Sequence, residues 1–178
     1  MRSQTFRSGP FLAALLAGVL PSAPMLVAQT SAVRPRCDAP QYRLFDFWIG
    51  SWDVTSGGQA AGTSLITLEE DGCVVHEHWT GAKGGTGQSF NYYDRQDRRW
   101  HQVWVSNSGN VLDLAGSFAD SVLTYRGEGR QPDGATLLHR LSFRANPDGT
   151  VRQLWETSSD GGATWTVSFD GRYHKKQD

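Results

Sequence analysis

The chain has 178 residues, with 17 basic and 18 acidic side chains and a formal net charge of −1 at pH 7. This length predicts one domain plus a short additional segment, and it is too short for a propeller of several four-stranded blades. Because the charges nearly balance, no basic surface is expected for phosphate backbones or anionic lipid, and nucleic-acid binding is not predicted.

The first 28 residues have the pattern of a secretory signal peptide. Arg2 and Arg7 precede an apolar stretch over 11–20, and a small residue suitable for cleavage follows at Ala28. The pattern predicts a periplasmic or secreted protein. A retained membrane anchor is the alternative, but the apolar run is well short of the roughly 20 residues that span a bilayer. No stable membrane insertion is therefore expected after cleavage.

The only two cysteines, Cys37 and Cys73, both lie in the part of the chain that would be exported. An oxidising compartment would allow them to pair. Such a disulfide would tie the N-terminal extension, predicted over 29–41, to the domain that follows. Two separate buried thiols are the alternative, since sequence fixes no geometry.

From Tyr42 onward, clusters of turn-forming residues such as EEDG, NSGN and NPDG recur along the chain. The segments between them alternate apolar and polar residues, which predicts β-strands. Ten sequential strands favour an all-β, antiparallel up-and-down barrel over 42–174, with a tail over 175–178, because closure removes exposed edges. A two-sheet sandwich is the alternative. The predicted strands cover residues 44–55, 60–68, 72–80, 87–94, 99–106, 110–117, 121–128, 135–144, 150–158 and 163–173.

The segment FDFWIGSWDV, Phe45 to Val54, carries the Gly-x-Trp pair Gly50 and Trp52. Together with CVVHEHWTG and RWHQVWVSNSG in order, it resembles an uncharacterised family of secreted bacterial proteins with lipocalin-like (calycin) β-barrels. The resemblance covers roughly residues 37–173. It implies a barrel with Trp52 packed across one end, and it implies no particular activity.

The chain is more distantly similar to the ten-stranded nitrobindin barrels, which bind haem through a histidine near the C-terminal end. The only counterpart here is His174, expected beyond the last strand, and no matching motif surrounds it. No haem or other cofactor is therefore predicted.

In the three central strands, alternation places aromatic and polar side chains on one face. We expect the turn RQDR to pair Tyr93 with Trp100, and therefore Asn91 with Gln102. This face is too polar for a dry core and too apolar for solvent, so it predicts a wet, aromatic-walled cavity for a small molecule. The predicted ligand-binding residues are Glu77, Trp79, Ser89, Asn91, Tyr93, Gln102 and Trp104.

The opposite face of the same strands is also rather apolar, with residues such as Phe90, Tyr92 and Val105, and it could be the inward one. Trp79 and Trp104 favour the mixed face as the inward one, because neither is cheaply left on a surface.

The histidines allow a metal site to be considered. His76 and His78 project from one strand face, and His101 could lie nearby, which gives three nitrogens without a fixed carboxylate. Such spacing is common by chance, so we predict a solvent-facing or hydrogen-bonded histidine pair and no metal. His139 is expected on a barrel face beside Leu141.

The octet SSDGGATW, Ser158 to Trp165, matches the Asp-box pattern of sialidases and other sugar-binding proteins. A single copy is not a repeat array. We interpret it as a hairpin turn in which Asp160 accepts backbone hydrogen bonds and two glycines adopt positive φ.

These features predict an exported barrel that binds a small, partly apolar molecule in an aromatic-lined lumen. One alternative is a barrel enzyme with Glu77 as general acid or base and Asn91 or Gln102 orienting the substrate. The other is an envelope structural or protein-interaction domain whose barrel is filled by side chains. A homodimer is possible in each case, because both strand faces carry apolar residues.

Overall fold

Ten antiparallel strands form a closed barrel in the computed structural model, which describes residues 37–177. Each strand pairs with its successor in the chain, and the last pairs with the first. The predicted up-and-down barrel is therefore confirmed, and the sandwich alternative is wrong. The strands are β1 (Gly50–Ser56), β2 (Gln59–Glu69), β3 (Val74–Gly81), β4 (Thr86–Asp94), β5 (Arg99–Ser106), β6 (Val111–Ala119), β7 (Val122–Arg130), β8 (Thr136–Ala145), β9 (Val151–Ser158) and β10 (Thr166–Lys175).

The predicted signal peptide over residues 1–28 lies outside the described residues, as does most of the predicted extension over 29–41. A four-residue helix, α1 (Pro40–Arg43), precedes the barrel. Among the described residues, no helix is long and apolar enough to cross a membrane.

The first strand begins later than predicted, at Gly50 instead of residue 44. A short 3₁₀ helix, Asp46–Trp48, occupies the intervening segment and turns it across the end of the barrel. Phe45 and Trp48 are fully buried there. The prediction is wrong because the alternation in FDFWI is compatible with a strand as well as with a short helix. The short helix is more favourable here because it buries the aromatic rings in the end of the barrel.

Aromatic rings close this end of the barrel. Phe45 and Trp48 from the N-terminal segment stack with ring centroids 5.0 Å apart, and Phe143 of β8 lies 5.0 Å from Phe45 and 4.7 Å from Trp48. Trp52 is buried and donates its indole N–H to the carbonyl of Trp48 at 2.8 Å. We call this cluster the end plug; it consists of Phe45, Trp48, Trp100, Phe118 and Phe143.

A disulfide joins Cys37 to Cys73, as the sequence predicts. It links the segment before α1 to the turn between β2 and β3, and the Arg43 guanidinium donates to the carbonyl of Gly72 in the same turn. The bridge spans 36 positions of sequence, so it restricts the unfolded chain and stabilises the fold.

The Asp-box octet forms the turn between β9 and β10, which confirms the structural interpretation. Asp160 accepts hydrogen bonds from the backbone N–H and the hydroxyl of Thr164, at 2.9 and 2.6 Å. The Ser158 hydroxyl donates to Asp160 and accepts from the N–H of Gly162. The indole N–H of Trp165 donates to the carbonyl of Gly162 at 3.1 Å. These polar groups are satisfied within the turn, so their role is architectural.

Candidate functional site

The register of the central strands agrees with the prediction. Tyr93 lies opposite Trp100, and Asn91 lies opposite Gln102. Asn91 and Gln102 are buried, whereas Phe90 on the opposite face is 45% exposed. The mixed aromatic and polar face is therefore the inward one, and the apolar face of the same strands meets solvent.

A cavity of about 220 Å³ lies within the barrel. Four of the seven predicted ligand-binding residues line it: Glu77, Trp79, Gln102 and Trp104. All four come from β3 and β5, where alternate residues point inward.

The cavity continues outward into a wider mouth of about 540 Å³. The two share Trp79, Trp104, Leu112, Trp155 and Ser168 in their walls. The rim of the mouth belongs to the turns that join β3 to β4 and β5 to β6, and to the adjoining ends of β7 and β8. The lumen therefore opens at the end of the barrel away from the end plug.

Glycines in the wall allow the large rings to lie against it. A β-carbon added at Gly87 would lie 2.3 Å from the ring of Trp104, and one added at Gly171 would lie 2.3 Å from the ring of Phe169. Both distances are far below a normal carbon contact. The absence of these β-carbons lets the two rings cover the wall and leaves the centre of the lumen empty.

A single carboxyl group, that of Glu77, is buried at the inner end of this cavity. Its Oε1 accepts the hydroxyl of Ser64 at 2.9 Å, and its Oε2 accepts the hydroxyl of Ser89 at 3.0 Å. The Tyr173 hydroxyl lies between two acceptors, 3.4 Å from Oε1 and closer to the amide oxygen of Gln153, and its one proton can be donated to either of them. These partners are all neutral.

Asn91 organises a second layer behind the cavity wall. Its amide nitrogen donates to the carbonyl of Val75 and to the Ser89 hydroxyl, and its Oδ1 accepts the amide N–H of Gln102 at 2.9 Å and the hydroxyl of Tyr125 at 3.1 Å. The side chain thus uses its full hydrogen-bonding capacity. Ser89 and Asn91 do not line the cavity, so they act by orienting Glu77 and Gln102.

Tyr93, also predicted as a ligand residue, lies away from the cavity. Its ring packs edge-on against Tyr42 at 5.3 Å and against Trp100 of the end plug at 6.3 Å. The residue faces inward as expected, but it lies too near the closed end of β4 to reach the lumen.

Burial sets the electrostatics of the lumen. It raises the pKa of Glu77 from 4.5 to about 7, against the opposing effect of the hydrogen bonds from Ser64, Ser89 and Tyr173. Burial also raises the pKa of the Tyr173 hydroxyl well above its usual value, and the adjacent Glu77 adds to that effect. The Glu77 carboxyl is therefore the group of the cavity that changes charge near neutral pH.

His139 faces the lumen at its mouth. It is buried, and its Nδ1 lies 3.1 Å from the indole nitrogen of Trp155, which donates to it. Burial lowers its pKa, so the imidazole is neutral at neutral pH. The expected position on a barrel face, two residues from Leu141, is confirmed.

The other histidines lie on the outer surface of the barrel. His76 contacts Glu69 at 3.1 Å and Gln88 at 2.9 Å, and its ring lies 4.1 Å from that of His78. His101 does not join them, because it belongs to a separate group with Asp97 at 2.9 Å. As predicted, His76 is hydrogen-bonded and His78 is exposed to solvent, but Glu69 supplies a carboxylate that the strand spacing does not reveal.

His174 lies within β10, opposite Asp53 of β1, and not beyond the last strand as expected. The strand is longer than predicted because β1 provides backbone partners as far as Lys175. His174 is exposed and contacts Thr55 on the outer surface at 3.2 Å, so it does not face the lumen.

Most of the remaining cavity wall comes from the C-terminal half, which the sequence analysis missed. The alternation of Gln153 and Trp155 on β9 is a signal that could have identified two of these residues. The bulge in β10 could not have been found that way, because it breaks the alternation and brings consecutive residues to the cavity. The additional residues are Leu112, Leu141, Gln153, Trp155, Ser168, Phe169 and Tyr173.

Comparison with known proteins identifies no family for this chain. No protein-family model matches it, and no curated protein matches it significantly.

Proposed function

We propose that the protein is an exported, lipocalin-like carrier that holds a small, partly apolar molecule in the lumen of its barrel. The observation that carries the proposal is the cavity of about 220 Å³, in which a few polar groups, Glu77 and Gln102 among them, lie beside the rings of Trp79 and Trp104. Binding pockets for small molecules are mostly apolar, with a few placed hydrogen-bonding groups.

The cavity has a suitable size. Benzene occupies an engineered apolar cavity of about 150 Å³ in another protein. A volume of about 220 Å³ therefore accommodates one aromatic ring with a short polar substituent, and the mouth of about 540 Å³ gives room for a longer one.

Two observations support carriage over the alternatives. A filled barrel would serve a purely structural role, but this lumen keeps an open volume beside Glu77. Acid–base or nucleophilic catalysis usually needs a second reactive group near the first. Among residues 37–177, the wall of the inner cavity contains one carboxyl group and no histidine, cysteine or lysine. Its other titratable group is the Tyr173 hydroxyl, whose pKa burial raises well above the usual value, so it does not ionise near neutral pH.

The Cys37–Cys73 disulfide supports export, because disulfides persist in oxidising compartments. It agrees with the signal peptide predicted over residues 1–28. Both features favour a periplasmic or secreted carrier.

Blocking the lumen tests the proposal. We expect calorimetric titration with 2-phenylethanol to give saturable binding at one site, and Leu112→Trp to weaken that binding at least about tenfold by filling the passage between cavity and mouth. Val105→Trp is the matched control, since Val105 is 47% exposed on the outer wall of β5. Binding that survives Leu112→Trp, or no binding to the unmodified protein, would contradict the proposal.

A further inference from the structure

We infer that the ligand is an organic monocation, an amine with an aromatic or apolar body whose ammonium group lies against Glu77. The inference rests on the proposed function, since it names the class of molecule that the lumen carries. Three features of the cavity support it: an unpaired buried carboxyl group, free acceptor oxygens and aromatic walls.

Among residues 37–177, the Glu77 carboxyl group has no cationic hydrogen-bond partner, and the histidine that acts on it through its charge, His76, lies on the outer side of β3. It is 4% exposed, and its hydrogen-bond partners Ser64, Ser89 and Tyr173 are all neutral hydroxyls. Within the part of the chain that the structure describes, no lysine, arginine or histidine belongs to the wall of the inner cavity. A buried carboxylate without a counter-charge is unfavourable, and a ligand ammonium group would supply that charge.

The inner end of the cavity offers free hydrogen-bond acceptors. A carboxylate oxygen can accept two hydrogen bonds, and Oε2 of Glu77 receives one, from Ser89, among the described residues. The Gln102 amide donates one of its two N–H groups to Asn91, and neither its second N–H nor its oxygen has a partner within residues 37–177. An ammonium group is a donor only, so it matches these oxygens, whereas a carboxylate or phosphate ligand would be repelled.

The walls suit a cation as well. Trp79, Trp104 and Trp155 line the cavity, and indole is the most favourable ring for cation–π attraction. The barrel uses the same chemistry on its outer surface, where the Arg140 guanidinium lies 4.2 Å from the ring centroid of Trp165.

The mouth offers little competition for the carboxyl group. Arg130 is the one lysine or arginine in its wall, and the guanidinium donates to Gly134 and Thr136 of its own hairpin. His139 is neutral because burial lowers its pKa. The charge that complements Glu77 therefore has to come with the ligand.

Three probes with the same ring and differing charge test the inference. We expect calorimetry at pH 8 to show that 2-phenylethylamine binds about tenfold more tightly than 2-phenylethanol, and that phenylacetate binds most weakly. Glu77→Gln should remove the preference for the amine, so that the amine and the alcohol bind this variant within about threefold of each other. Glu128→Gln, which removes an exposed carboxylate from the outer face of β7, should change neither affinity.

The outcomes separate this inference from the proposed function. Equal or tighter binding of the alcohol by the unmodified protein, still blocked by Leu112→Trp, would overturn the cation inference and leave the carrier intact. If none of the three probes bound, or if Leu112→Trp weakened the binding of none of them, both the inference and the proposed function would be contradicted. The comparison of amine with alcohol needs no variant of Glu77, so it stands even where Glu77→Gln does not fold.

Discussion

Glu77→Gln is expected to make the protein more stable than the unmodified form at pH 8, by about 3 kcal/mol, and to have little effect near pH 4. Burial raises the pKa of Glu77 to about 7, whereas the same group in the unfolded chain titrates near 4.5. Between these values the folded protein keeps a proton that the unfolded chain has lost. Rising pH therefore favours unfolding across this window, and the effect is complete above pH 7.

The glutamine variant should lack this slope because its side chain stays neutral. Other titratable groups of the barrel interior and of β3 remain in both proteins: Tyr173 from β10 and Tyr125 from β7, whose pKa values burial raises well above 10, His139 from β8 at the mouth, and His76 on the outer side of β3. The lowered pKa of His139 gives a slope of opposite sign. Subtracting the two stability curves cancels these contributions.

Urea unfolding of both proteins from pH 4 to pH 8 measures the difference directly. Glu128→Gln, an exposed change on β7, should follow the unmodified protein at every pH. A constant difference between Glu77→Gln and the unmodified protein over the whole range would show that Glu77 is not buried as a carboxyl group with a raised pKa.

Trp48→Ala is expected to lower the free energy of unfolding by about 4 kcal/mol, because it leaves a large void among tightly packed rings. Trp48 is fully buried in the end plug, between Phe45 and Phe143. Its indole N–H is also buried and has no acceptor among residues 37–177. Trp48→Phe keeps an aromatic ring in this place and removes the unpaired N–H. It should therefore lower the free energy of unfolding by less than half as much as Trp48→Ala does.

Urea unfolding at one pH compares the two variants. If Trp48→Ala and Trp48→Phe lowered the free energy of unfolding equally, the stability of the end plug would not depend on its stacked rings. The plug matters for the lumen because it holds one end of the barrel closed while the other end remains open.

The two ends of the barrel interior affect stability in opposite directions. The end plug stabilises the fold through buried aromatic surface, whereas the cavity contains a carboxyl group whose ionisation destabilises it. A residue that lowers stability at neutral pH is commonly retained for function. The buried, ionisable carboxyl group of Glu77 therefore supports a role for this residue in binding.

The barrel and its central register follow from the sequence because the information is local. In the turn RQDR, Asp94 accepts the N–H of Gln96 and Asp97 accepts the N–H of Arg99, so the two flanking strands start in a fixed register. Once that register is set, alternation determines which residues face inward. The burial of Asn91 and Gln102 follows in the same way.

The rest of the cavity could not be predicted, since it depends on contacts between distant parts of the chain. Tyr173 reaches Glu77 from β10, almost a hundred residues away. The bulge between Val167 and Phe169 shifts the alternation of β10, and no local sequence pattern predicts this bulge. Phe45 and Trp48 read as strand residues and become part of the end plug only because the closed barrel offers them a buried space.

Native mass spectrometry of the protein, purified from its own source without added ligand, tests the central claim most directly. We expect a bound small molecule that dissociates on denaturation, carries a basic nitrogen, and is absent from Leu112→Trp prepared in the same way. The mass of the bare chain in repeated preparations of the unmodified protein would contradict the claim that this barrel carries a small molecule in its lumen.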